Sequence, residues 1–150
     1  MEFKDEILIN APRQVVYDAL NDPVILRRCI PGCEELIRHS ATDLEAKVVL
    51  KIGPVKARFS GNVVLDQAGA PQSFSLTGEG KGGVAGFAKG GADVVLAEVE
   101  NGTILSYTAK VEVGGKIAQL GSRLIKGTAA KLSAQFFESF AAEFVQSADG

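Results

Sequence analysis

Two cysteines, a single histidine, two carboxylates and a run of glycines are the residues of this sequence whose types and spacing invite a chemical reading. Cys29 and Cys33 flank Ile30-Pro31-Gly32. A zinc site draws on four Cys, His or carboxylate ligands at tight spacing. Here there is no second cysteine pair, and His39 is the sole histidine. The pair therefore reads as small reduced thiols beside a turn, and neither a metal nor a cofactor is expected. A Ser-His-Asp or Cys-His nucleophile would have to recruit His39, which sits between Arg38 and Ser40 with nothing near it that looks activated. Glu79 and Asp93 fall where neighbouring strands would bring them together. Acid/base work, however, needs a cleft and shifted pKa values, and surface solvation is their expected state. Asn101-Gly102-Thr103 fits a glycosylation sequon, but a hairpin turn accounts for it fully. No catalytic set emerges.

The glycines are the least ordinary feature. Between Thr77 and Gly91 the chain carries Gly78, Gly80, Gly82, Gly83, Gly86, Gly90 and Gly91. Gly78-x-Gly80-x-x-Gly83 matches the letters of a dinucleotide fingerprint. That motif needs a helix opening directly after the glycines, because the helix N-terminus holds the pyrophosphate. Here the glycines run on into another strand, so nucleotide binding is set aside. Glycines relieve crowding where a bent sheet turns or a backbone comes close. They also leave volume beneath a sheet that side chains would otherwise fill, which is what a ligand cavity requires.

The elements that would position these residues follow from periodicity. Residues 2–9 alternate as a strand, with Phe3, Ile7 and Ile9 on one face. Asn10-Ala11-Pro12 starts a helix, with Asn10 as its cap and Val15, Val16, Ala19 and Leu20 as its apolar stripe. Asn21-Asp22-Pro23 opens a second short helix over residues 23–29, closed by Pro31-Gly32. Strands follow over 44–52, 55–65, 73–81 and 86–99 and after Thr103. Gly53-Pro54 forms one turn, and Asn101-Gly102 supplies the positive φ of a type I′ hairpin. After Gly114-Gly115 the period becomes helical: Ile117, Leu120, Leu124, Leu132, Phe136, Phe140 and Phe144. Residues 116–146 would make one amphipathic helix of roughly 45 Å at 1.5 Å per residue, weakened by Gly121 and Gly127. Its phenylalanines read as core against the sheet rather than as a membrane face, which would want more Lys and Arg opposite.

An antiparallel sheet with one apolar face needs a covering layer, and the long helix supplies it. The fold class is thus α+β: a curved antiparallel sheet of about seven strands gripping a long C-terminal helix, with two short helices after strand 1. Residues 1–150 suit a single domain. The formal net charge is −2 and the basic residues are interspersed with acids, which argues against a nucleic-acid partner. The first ten residues are charged and alternating, unlike a signal peptide, and no apolar run spans a bilayer. A cytoplasmic setting is expected.

Several blocks together resemble a known family. They are Ala11-Pro12 through Leu20, Asp22-Pro23, Cys29-Ile30-Pro31-Gly32-Cys33-Glu34, Lys51-Ile52-Gly53-Pro54-Val55 with Phe59-Ser60-Gly61, and Gly114-Gly115-Lys116-Ile117-Ala118-Gln119-Leu120-Gly121-Ser122-Arg123-Leu124-Ile125. The sequence resembles the carbon monoxide dehydrogenase G-subunit family over essentially its whole length, with Tyr17 where a Trp is common. That family belongs to the START-like, helix-grip superfamily, also called polyketide cyclase or Bet v 1-like. The resemblance implies a hydrophobic ligand cavity between sheet and helix, a quinone or other lipid as ligand, and molybdenum hydroxylase subunits as partners. It also implies peripheral contact with the inner face of the cytoplasmic membrane. Longer members carry segments suited to membrane attachment beyond this helix, so autonomous anchoring is not expected of residues 1–150. No catalytic residues come with the resemblance.

The leading expectation is therefore a non-enzymatic carrier of a lipophilic molecule. The cavity walls are expected at Phe59, Leu76, Phe87, Tyr107, Leu120 and Leu124, with Gly80 and Gly90 providing room and entry and Tyr107 hydrogen-bonding a polar head. An assembly factor or adaptor with an incidental cavity, and a cyclase-like enzyme of the same fold, are the alternatives. The enzyme would need an acid or base inside, and Tyr107 is the one proton donor among the expected inward positions.

Overall fold

A computed structural model describes residues 1–145. The element order is β1 (Glu2–Ile9), α1 (Arg13–Leu20), α2 (Pro23–Cys29), β2 (Cys33–Arg38), β3 (Asp43–Ile52), β4 (Val55–Asp66), β5 (Ser73–Lys81), β6 (Phe87–Val99), β7 (Gly102–Gly114) and α3 (Ser122–Val145). Short 3-10 turns sit at Gly83–Ala85 and Lys116–Leu120. The strands form one seven-stranded antiparallel sheet in the order β1-β7-β6-β5-β4-β3-β2. Tight turns make consecutive strands neighbours from β2 to β7, and β1 closes onto β7. This is the helix-grip architecture that the alternation and the change of period predict.

Register fixes which side chains share a face. Leu44 lies opposite Val63, Ala46 opposite Gly61, Val48 opposite Phe59 and Leu50 opposite Ala57. The inner face carries two separate buried clusters. The larger joins Ile9, Val16, Ala19, Phe74, Val94, Leu96 and Leu105 to Phe140 and Phe144 of α3. The smaller, at the other end, joins Ile52, Phe59, Ala85 and Ile117. Phe136 and Phe140 stack at 5.7 Å, and Phe140 is wholly buried, so the phenylalanine ladder is core.

Three local details differ from the sequence expectations. Pro12, not Asn10, occupies the cap position of α1, and no side chain caps that helix. In α2, by contrast, Asp22 accepts from the Val24 amide at 2.9 Å and Pro23 opens the first turn. In the β6–β7 hairpin, Val99 pairs with Gly102, so Glu100 and Asn101 form the loop. No non-glycine residue has positive φ among the described residues; Gly102 alone carries it here, so the turn is not type I′. Finally, residues 116–120 form a 3-10 turn and α3 starts only at Ser122. Gly121, at φ +93°, breaks the chain direction between them. The helix therefore has 24 residues, about 36 Å at 1.5 Å per residue, and the expected last residue, Gln146, lies outside the described residues.

Candidate functional site: an apolar cavity under the sheet

Between the two buried clusters lies a cavity of about 440 Å³. Its floor is the inner face of the sheet, and its origin can be read from the register. Gly61 on β4 lies opposite Gly80 on β5, and Gly78 on β5 lies opposite Gly90 on β6. Gly80 lies opposite Ala88. Positions that would elsewhere project Val or Leu toward the helix carry a hydrogen atom or a methyl group across three adjacent strands. Close packing is the rule in protein interiors, so this stripe leaves a void unless a partner fills it. A Cβ built on Gly80 would meet only Phe59 Cβ, at 4.0 Å.

The walls are Val48, Leu50, Ile52 and Phe59 from β3 and β4, and Val111 and Val113 from β7. The roof is Ile125, Thr128, Ala129 and Leu132, one face of α3 at helical spacing. Ile30 and Pro31 close one side. They are held there because the Val49 amide donates to Gly32 O at 2.9 Å. A Cβ on Gly32 would stand 2.1 Å from Val49 O, so this contact excludes any side chain. Asn62 and Glu79 also border the cavity, but they alternate with the inward positions Gly61, Val63, Gly78 and Gly80 and thus contribute backbone. Thr128 is the polar side chain that the roof presents.

The expected site residues divide. Phe59 and Gly80 line the cavity. Leu76 and Gly90 lie on the same inner face, at a neighbouring hollow of about 260 Å³ whose wall shares Gly78, Ala88 and Val111 with it. Phe87 packs on Gly114 at the end of the sheet, because the inward parity of β6 runs through Ala88, Val94 and Leu96. Tyr107 stacks on Phe137 at 5.3 Å and faces a separate groove between β1 and α3. Leu120 packs beside Ile117 in the smaller cluster. Leu124 is 38% exposed and lies over Gly53. The break at Gly121 resets the helical phase, which turns Leu124 outward and brings Ile125, Thr128, Ala129 and Leu132 onto the sheet. Their i, i+3, i+4, i+7 spacing was present in the sequence but is visible only once the helix is started at Ser122.

The other chemical candidates lie elsewhere. Glu79 faces Lys89 across the β5–β6 ladder, and Ser75 Oγ donates to Asp93 at 2.6 Å. His39 Nε2 pairs with Glu45 at 2.8 Å on the surface. Thr103 is fully buried, and its hydroxyl donates to Ala11 O at 2.8 Å. Burial pushes the Cys29 thiol up, with a further upward push from Glu143 and a smaller opposing one from Arg28. Cys33 is likewise raised by burial, so both thiols are held in the neutral form. Arg28 in turn pairs with Glu143, fastening α2 to α3. Among the described residues there is no group of three His, Cys, Asp or Glu side chains that could hold a metal ion.

A family model described as the G subunit of carbon monoxide dehydrogenase (CoxG) matches residues 6–145. No curated protein matches the sequence. Among solved structures, a conserved protein from Geobacillus kaustophilus is 29% identical and superposes with a TM-score of 0.90, over 98% of this chain and 97% of that one. A START superfamily protein from Mycobacterium smegmatis is 11% identical with a TM-score of 0.72, over 97% of each chain. The Zhui aromatase/cyclase from a Streptomyces species is 10% identical with a TM-score of 0.72, over 97% of this chain and 94% of that one. At such identities the last two show a shared fold, and function has to be argued from the cavity.

Proposed function

The chain belongs to the carbon monoxide dehydrogenase G-subunit (CoxG) family, and from that premise we propose that it carries a lipophilic small molecule, a quinone, as an accessory to a molybdenum-containing hydroxylase. The observation that carries this reading is the chemistry of the cavity: about 440 Å³ walled by aliphatic side chains and Phe59, with Thr128 as the polar side chain of its roof. Ligand sites of this kind run from roughly 300 to 1,000 Å³ and are mostly apolar with a few polar groups that set orientation. Desolvation would drive binding at roughly 25 cal/mol per Å² of apolar area removed from water. A quinone ring fits such walls, and the Thr128 hydroxyl can donate to one carbonyl.

The lining favours holding over transforming. Acid/base catalysis needs a titratable group within hydrogen-bond reach of the reacting atom, and the side chains supplied by the walls and roof are aliphatic, aromatic or hydroxyl. The fold's aromatase/cyclase relatives therefore do not by themselves bring a cyclase reading to this chain.

Native mass spectrometry of freshly purified protein, with organic extraction of whatever it holds, tests the proposal. A bound quinone or isoprenoid lipid is expected. Protein that is always empty, and whose melting temperature does not move with short-chain quinones, would sink the carrier reading.

A further inference from the structure

The sheet ends in two edges that differ sharply. At one end β2 has six residues, its pairing with β3 shifts register between Cys33 and Glu35, and α2 packs against it. Short, bulged and covered edges resist pairing with other chains. At the other end β1 runs eight residues in unbroken register with β7, without a proline, and its second edge meets no strand. The direction of its free backbone groups follows from one pair. The Met1 nitrogen donates to Val111 O and the Val111 amide donates to Met1 O, each at 2.8 Å. Antiparallel ladders alternate, so Phe3, Asp5 and Ile7 bond to β7, whereas Glu2, Lys4, Glu6 and Leu8 turn their N–H and C=O groups to the open edge. The Glu6 amide donates to Asp5 Oδ1 at 2.8 Å, so a carboxylate stands where the carbonyl of a neighbouring strand would accept.

Beside this edge lies the groove of about 660 Å³ between β1 and α3. The α3 residues that border it, Ala130, Ser133 and Ala134, are small and leave it open. Its apolar lining is Phe3 and Ile7 of β1 with the stacked rings of Tyr107 and Phe137. The charges around it are Glu2, Asp5, Glu6 and Glu138 against Lys4 alone, all of them exposed. None of these side chains forms an ion pair among the described residues. An open strand edge, an apolar groove along it and a surplus of unpaired carboxylates fit one kind of occupant. An added strand satisfies the outward backbone groups, its inward side chains fill the groove, and its basic residues meet the acids. A small molecule would leave the row of backbone groups unmet. A second copy would bring the same acids together: two β1 strands paired about Asp5 set that carboxylate against its own twin, and like charges directly opposite destabilise a sheet.

We infer that the β1 edge and its groove take up an extended, cationic segment of a partner protein as an added β-strand. Its apolar side chains lie opposite Phe3 and Ile7, and its basic ones lie opposite Glu2, Asp5 and Glu6. The groove shares no lining residue with the glycine-floored cavity, so the inference stands apart from the carrier reading.

Titration of the full chain with the peptide Thr-Val-Lys-Lys-Thr-Val-Lys at low salt tests this. Paired antiparallel to β1, it sets its valines opposite Ile7 and Phe3 and its lysines opposite Glu6, Asp5 and Glu2. Amide hydrogen exchange, followed by NMR, should slow at least about tenfold at Lys4, Glu6 and Leu8. Exchange at Phe3, Asp5 and Ile7, already bonded to β7, should stay as it was. Two control peptides should not bind: one with glutamate for every lysine, and one N-methylated at the alternate amides that would face β1. Binding should weaken at least about tenfold in a Glu2→Lys/Glu6→Lys double variant whose melting temperature is unchanged, and should weaken with added salt. Absence of binding by the lysine peptide would overturn the inference. So would a glutamate or N-methylated peptide that binds as well, or a double variant that binds undiminished. A peptide-free protein that sediments as a dimer with the Lys4 and Leu8 amides already slow would assign the edge to a second copy instead, and would equally overturn it.

Discussion

At the scale of single residues, the glycines of this chain do different jobs that look alike in sequence. Gly80 and Gly90 both sit on the inner face of the glycine-rich strands. A Cβ on Gly80 meets only Phe59 Cβ at 4.0 Å, whereas one on Gly90 would stand 2.1 Å from Lys110 O. Gly80 is therefore a vacancy in the cavity floor, and Gly90 marks a place where β6 and β7 approach too closely for a side chain. Leucine at the two positions should separate these roles. Gly80→Leu is expected to fill the cavity and abolish quinone uptake while keeping or raising the melting temperature, since it adds apolar contact and restricts the unfolded chain. Gly90→Leu should instead cost about 1–3 kcal/mol of stability through overpacking, whatever its effect on the ligand. Thermal melts with and without a short-chain quinone give both readouts. Quinone binding that survives Gly80→Leu would move the site out of this cavity. The glycine cluster was conspicuous in the sequence, but which of its members make space was not. That depends on the distance to the neighbouring strand, a property of register and twist rather than of composition.

Whole elements were legible where a period persists. Six of the seven strands announce themselves by alternation, and the bounds given for them fall within a residue or two of the observed ones, because a two-residue period survives any register; β2, Cys33–Arg38, was given no bounds of its own. The helix was harder. Ile117, Leu120 and Leu124 continue the spacing of the later phenylalanines well enough to suggest one helix, yet Gly121 at φ +93° interrupts it and the face that meets the cavity starts afresh at Ile125. Spacing cannot reveal such a phase reset; a single backbone torsion decides it. A Cβ on Gly121 meets nothing within 4 Å, so the constraint is the backbone conformation and not crowding. Gly121→Ala should therefore destabilise the fold by about 1–3 kcal/mol, the cost of holding an L-residue at a positive φ and extended ψ that essentially only glycine adopts. Urea denaturation should register it as a lower midpoint with an unchanged slope. A wild-type midpoint would mean that the 3-10 turn and α3 can merge into one helix without loss, and that the break is not needed to aim Ile125 and Leu132 at the sheet.

At the scale of the molecule, the sheet and α3 are joined at both ends and held apart in the middle. Phe140 and Phe144 lock the far half of the helix onto the larger cluster, and Ile117 locks the preceding turn into the smaller one. The glycine stripe lies between, so the void is spanned by a helix packed against the sheet on either side of it. Such a cavity has a definite capacity, which a series of quinones with lengthening alkyl tails measures directly. Each added methylene should improve binding by about 0.8 kcal/mol while it still finds apolar wall. Once about 440 Å³ is filled, further methylenes remain in water and the gain should stop. Calorimetric titration across the series, in buffer without vesicles or detergent, should thus give a rising line that breaks to a plateau. In Gly80→Leu the break should come at a shorter tail, or binding should vanish. A line that rises without a break would describe an open groove rather than a bounded cavity, and a flat line from the shortest tail would place the ligand elsewhere.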